Sequence, residues 1–162
     1  MYLDKAKERF QAMLFELNQV EKVTPVTHEK IQRLENFFGF KIPQAYQEFL
    51  EWMGEDGGDF MATESFWIGQ IQTNQEEALY LLNSGECSDL LPSDAIIFYM
   101  HCGYTFYFMR ASDGDNPPIH RYVEDELSDR IEWDVYKNLQ EFIIAQIDAS
   151  LHFHRKMNQP KC

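Results

Sequence analysis

The sequence predicts a single α+β domain, with a mainly antiparallel, twisted sheet flanked by N-terminal helices and closed by a C-terminal helix. Apolar residues recur at three- and four-residue steps in the first third of the chain and again near its end, the period of an amphipathic helix. The middle and later parts instead hold short β-branched and aromatic runs between turn residues, and these strands succeed one another locally rather than alternating strictly with helices. With 162 residues, 44% hydrophobic and 15% aromatic, the chain has material for one core, and a domain of this size buries about 70% of the surface its unfolded chain exposes. The expected domain spans residues 1–162, with 1–22 as a helical extension and 28–150 as the core.

Leu3, Ala6, Phe10, Met13, Leu14 and Leu17 fall on one stripe of a first helix that ends near Val20. Thr27 is placed to cap a second helix with an apolar face of Ile31, Leu34, Phe37 and Phe38, and Gly39 to end it. Pro43 suits the first position of a third helix, because that position needs no donor; Tyr46, Phe49, Leu50 and Met53 follow on one face up to Gly54. The run from Gly54 to Asp59 reads as a loop, and Phe66 to Ile71 as a short strand. Thr73 and Glu76 have capping-box spacing ahead of a fourth helix carrying Ala78, Leu79 and Leu82 and stopping at Gly85. From Ala95 to Arg110 the pattern predicts two antiparallel strands joined by a tight turn at Cys102-Gly103, with Tyr104, Phe106 and Phe108 on one side. Asp113 to Pro118 is a turn, Ile119 to Val123 a strand, and Arg130 to Val135 another. Asn138 and Glu141 repeat the capping spacing before a last helix with Leu139, Phe142, Ile143, Ile147 and Leu151.

Charge excludes some functions. The chain carries 14 Lys and Arg against 27 Asp and Glu, a net charge of -13. Nucleic-acid backbones and anionic membranes reward basic patches, so neither is an expected partner; a basic protein is. The asymmetry is regional. Between Lys41 and Arg110 there is no Lys or Arg, while Glu48, Glu51, Glu55, Asp56, Asp59, Glu64, Glu76, Glu77, Glu86, Asp89 and Asp94 all lie inside. The later turns add Asp113, Asp115, Glu124 and Asp125. Such a block is either a solubility device or a surface kept for a cationic partner. The candidate partner-binding residues are Glu55, Asp56, Asp59, Glu64, Asp113, Asp115, Glu124 and Asp125.

The motifs of common chemistries fail. His28-Glu29 opens like a zinc-protease helix, but Gln32 stands where the second His must lie. Asp113-Gly114-Asp115-Asn116 begins like a calcium loop and is then closed by Pro117-Pro118. His152 and His154, two apart, point about 200° away from each other on a helix. The Gly57-Gly58 loop is followed by Asp59 rather than the Lys or helix start of a phosphate cradle. Cys87, Cys102 and Cys162 are too widely spaced for a disulfide framework or zinc knuckle and read as reduced thiols. His101 and Cys102, taken as neighbouring strand residues, would face opposite sides and form no dyad. No catalytic, cofactor or metal residue is therefore assigned. Without an apolar run of membrane length or a hydrophobic signal core at Met1 to Phe10, the default location is cytoplasmic.

Two stretches together resemble the SUKH superfamily, which includes the yeast cell-wall-assembly and glucan-synthesis regulator. The first is Ile31-Gln32-Arg33-Leu34-Glu35, then Phe40 to Tyr46 with Ile42-Pro43 in place of the common Leu-Pro, then Phe49-Leu50 and Gly57-Gly58. The second runs from Gly103-Tyr104 through Phe106 and Phe108 to the Asp113–Ile119 turn and Tyr122. The resemblance covers about His28 to Ile147. It implies an α+β domain without enzymatic activity that binds proteins: in bacteria an immunity protein neutralising a cognate toxin, often a nuclease, and elsewhere a regulatory scaffold. Pro43, Tyr46, Gly58, Gly103 and Pro118, which match its motifs, are expected to serve the fold. A further reading holds that the acidity serves solubility and that the specific surface is small and apolar.

Overall fold

Helices and strands appear where side-chain periodicity places them, with two exceptions. The computed structural model describes residues 1–84, 87–125 and 130–157. In chain order its elements are α1 (Asp4–Glu16), α2 (His28–Phe38), α3 (Gln44–Met53), α4 (Ile71–Ser84), β1 (Ala95–His101), β2 (Thr105–Arg110), β3 (Ile119–Val123), β4 (Glu132–Tyr136) and α5 (Leu139–Met157). The strands form one antiparallel sheet in the order β1-β2-β3-β4, so the α+β class expected from the sequence holds.

Local chemistry explains the ends of the elements. The Thr27 hydroxyl accepts from the Lys30 backbone N–H at 3.4 Å, and Gly39 closes α2 at φ 78°, a conformation that glycine adopts without a Cβ penalty. Pro43 lies one residue before its expected position, as the cap of α3 rather than its first residue. The Asn138 side chain caps α5 by accepting from the Glu141 N–H at 3.1 Å. α1 stops at Glu16, short of Val20, where Asn18 turns the chain at φ 52°.

The first exception is the strand expected at Phe66 to Ile71. Only Ser65 pairs, through an isolated bridge to Met100, and the chain then enters a 3-10 turn at Ile68–Gln70 that leads into α4. The Gln70 carboxamide accepts from the Trp67 N–H at 3.2 Å, so the helix is capped before Thr73, and Thr73 and Glu76 lie inside it. The second concerns two side chains assigned to apolar faces, Phe37 and Leu79, which are about half exposed. Gly85, the expected stop of α4, lies outside the described residues.

The sheet is covered on both faces at β1, while β4 at the other edge has no buried residue. β1 is buried along Ala95–Met100, unlike a one-sided antiparallel strand. Its register slips between Ile97 and Tyr99, and this bulge sends both Phe98 and Tyr99 to the larger core formed with α1, α3 and α5. Ile97, Met100, Phe106, Phe108 and Tyr122 face the other way, onto Ala78, Leu81 and Leu82 of α4. The free edge of β1 is closed by a side chain: the Gln75 carboxamide donates to the Ile97 carbonyl at 3.1 Å and accepts from its N–H at 3.4 Å. Together with the Ser65 bridge, this withdraws an edge that would otherwise invite strand addition.

Candidate protein-binding surface

The candidate acids reach their places on loops held to this frame. Glu55, Asp56 and Asp59 sit in the connection after α3, which is tied back to the segment before α2 by Thr24 N–H to Asp56 C=O at 2.7 Å. Within it, Gly57 leaves no room for a side chain, since a Cβ there would lie 2.3 Å from the Trp67 ring. Gly58 takes φ 67°, and its N–H bonds the Asp56 carboxylate at 2.8 Å. Glu55 pairs with Lys30 at 2.6 Å, whereas Asp56 and Asp59 are exposed and meet no cation among the described residues.

Glu64, further along, accepts from the Tyr99 hydroxyl at 3.0 Å and touches His101 Nδ1 at 2.7 Å. Glu124 lies at the same end of the sheet, its N–H bonded to the Tyr104 carbonyl at 2.8 Å, with Asp125 beside it. Asp113 and Asp115 occupy the opposite end. Asp113 stands 3.8 Å from both Arg110 and His120, and the Asp115 carbonyl accepts from Ala45 N–H at 2.8 Å at the start of α3. The length of β2, roughly 16 Å at a strand's rise, separates the two groups. The structure therefore gathers Glu64, Glu124 and Asp125 at one end and leaves Asp113 and Asp115 at the other.

Within the cation-free span, Glu48 is neutralised by Lys7 and Asp94 by Arg110, both from outside the span. Burial raises the Asp94 pKa, but hydrogen bonds from Ser112 and Arg110 outweigh it and hold the carboxyl below its ordinary value. Glu51 and Asp89 meet neutral donors, the Gln47 amide and the Ile131 N–H. Glu76 and Glu77, on the exposed side of α4, have no ion-pair partner among the described residues. Glu86 lies outside those residues.

Sequence reasoning missed two features. Phe37, Phe38, Phe40, Leu79, Leu91 and Pro92 line an apolar groove of about 260 Å³, formed because the end of α2 leans on α4 and the approach to β1. The second overturns the expectation that His101 and Cys102 face apart: Cys102 Sγ lies 3.5 Å from His101 Nε2. Cys102 has left the strand. It occupies the turn at φ 50°, followed by Gly103 at φ 75°, and the alternation rule ends where the turn begins. The turn itself was legible at Cys102-Gly103, so the signal was present.

The residues singled out by the resemblance serve the fold. Tyr46 is fully buried, Pro43 is the N-terminal cap residue of α3, and Gly58 and Gly103 take positive φ. Among the described residues no group of three or more His, Cys, Asp or Glu is placed to hold a metal ion, and no helix is long and apolar enough to cross a membrane.

Four of the five motif residues, Pro43, Tyr46, Gly58 and Gly103, thus support the frame of an α+β domain of a known kind. The family model for the SMI1 / KNR4 family (SUKH-1) matches residues 25–145, and the chain belongs to that family. Membership makes it a protein-binding domain of the immunity or regulator type, whose partner is another protein. The match begins after α1, although Leu3, Ala6, Phe10 and Met13 of that helix lie in the main core. The comparison with curated proteins finds no match.

Proposed function

We propose that this SUKH-1 domain is a bacterial immunity protein that acts in the cytoplasm, without catalysis, by covering a basic toxin domain with its acidic surface. The observation that carries this reading is the span from Ile42 to Met109, which contains no Lys or Arg and in which Asp56, Asp59, Glu76 and Glu77 meet no cation among the described residues. A nuclease toxin suits it, because a site that holds phosphate is cationic and carboxylates can occupy it. Residues 1–162 act as one unit in this reading. The alternative from the same family is a regulatory scaffold whose partner is not toxic, and expressing the partner alone in cells separates the two.

The test uses the purified chain and the protein it retains from native lysate at low salt. Replacing Glu55, Asp56 and Asp59 together by Ser should slow association about tenfold at low ionic strength and leave dissociation nearly unchanged, since peripheral charges act on the on-rate. Association that stays flat across an ionic-strength series rejects the acidic surface. The apolar groove favours a second reading, in which the triple variant binds normally and Leu79→Asp abolishes binding.

A further inference from the structure

We propose that Cys102 is a base-assisted thiol that forms mixed disulfides with small cationic disulfides. Cys102, His101 and Glu64 stand as nucleophile, base and orienting carboxylate, a constellation with the proton logic of a thiol–imidazole–acid triad. The proposal goes beyond partner binding and does not depend on it.

Hydrogen-bond bookkeeping fixes the imidazole. A carboxylate only accepts, and Glu64 Oε2 receives both the Tyr99 hydroxyl at 3.0 Å and His101 Nδ1 at 2.7 Å, so Nδ1 carries the proton. Nε2 is left as an acceptor, 3.5 Å from the Cys102 sulfur and within reach of its S–H. Burial and the neighbouring Glu64 carboxylate push the Tyr99 phenol far above its ordinary value, so it remains a donor. The Tyr104 ring meets the imidazole edge-on with centroids 5.6 Å apart. Access increases along the relay: the Glu64 side chain is 18% exposed, that of His101 is 39%, and Cys102 is open to solvent. Cys87 differs on each count, being half-buried with its thiol 3.7 Å from the Asp89 carbonyl.

In the reaction the thiol proton passes to His101 Nε2 and the thiolate attacks one sulfur of R–S–S–R. The Cys102–S bond forms as the S–S bond breaks, and the departing thiolate takes the proton from the imidazolium and leaves as RSH. The protein thiol is oxidised and half of the small disulfide is reduced. Selectivity comes from charge: the Glu64 and Glu124 carboxylates flank the turn, so ammonium-bearing disulfides are attracted and carboxylate-bearing ones repelled.

The test treats the full chain with cystamine, 2-hydroxyethyl disulfide and dithiodiglycolate, and follows modification of each cysteine by peptide mass mapping. Cys102 should react at least about tenfold faster than Cys87 and Cys162, in the order cationic, neutral, anionic, with the order compressed at high salt. His101→Gln should lower the Cys102 rate about tenfold or more. Glu64→Gln should act in the same direction more weakly. The Cys87 rate serves as the folding control, because unfolding raises it. Equal rates at Cys102 and Cys162, a Cys102 rate unchanged by His101→Gln, or fastest reaction with the anionic reagent would overturn the proposal.

Discussion

At the hairpin end of the sheet, the His101 side chain is 39% exposed and touches Glu64 at 2.7 Å; at the opposite end His120 is 3% exposed, with Asp134 and Asp113 at 3.6 and 3.8 Å. His120 packs against both the Phe108 and Trp133 rings, with centroids 4.9 and 4.8 Å away. Its Nδ1 accepts from the Asp134 N–H at 3.0 Å, in a backbone turned to φ 55°, which puts the remaining proton on a buried Nε2 that has no hydrogen-bond partner among the described residues. Burial pushes the His120 pKa below its ordinary value against the upward pull of Asp134 and Asp113, and Arg110 adds to the lowering. The two ends use the same residue types. Desolvation makes one histidine a neutral structural wedge, while the other keeps solvent contact and the Glu64 and Cys102 side chains as neighbours.

The largest effect is expected where both ends of the sheet share a support. Phe142 of α5 packs against Phe66, Phe98, Tyr99, Tyr107 and Tyr136, so Phe142→Ala should cost about 3–5 kcal/mol in chemical denaturation and open the buried His120 to solvent. A smaller loss is expected from Gly57→Ala. A methyl 2.3 Å from the Trp67 ring must displace that ring, which should cost about 1–3 kcal/mol, shift the tryptophan emission and disturb the acidic loop before it reaches the far end.

The smallest effect is a pH dependence of stability at His120. With its folded-state pKa depressed, His120 binds fewer protons folded than unfolded. Its contribution is therefore retained above the ordinary histidine range and lost as pH falls through it. His120→Asn keeps an acceptor near the Asp134 N–H and cannot titrate. Between about pH 7.5 and 5.5 the wild-type chain should lose stability relative to this variant, as read by the difference in Tm; a constant difference would return His120 to an ordinary environment.

Much of the frame was legible because local rules act on neighbours in sequence. The 3.6-residue stripe of α1, the Thr27 and Asn138 caps, the Gly39 stop and the Cys102-Gly103 turn each depend on a few consecutive residues. Errors arose where a distant partner decided the outcome. Phe66 to Ile71 has the composition of a strand, yet the neighbouring edge of β1 is taken by Ser65 and Gln75, so the run packs as a turn and helix start. The candidate acids were legible as charge but not as geometry. Lys7, Lys30 and Arg110 reach Glu48, Glu55 and Asp94 from beyond the span, and the sheet sets Asp113 opposite Glu64.

By itself the sequence determined an acidic α+β domain, where most of its helices and strands lie, and its likeness to a protein-binding family. Periodicity, capping and net charge are properties of the chain that survive any arrangement of its elements. Only the tertiary structure decided which carboxylates are ion-paired, which histidine loses water, and that a turn brings Cys102 against His101. Desolvation and side-chain proximity depend on what the rest of the molecule packs against each group, and that is fixed only when the sheet closes.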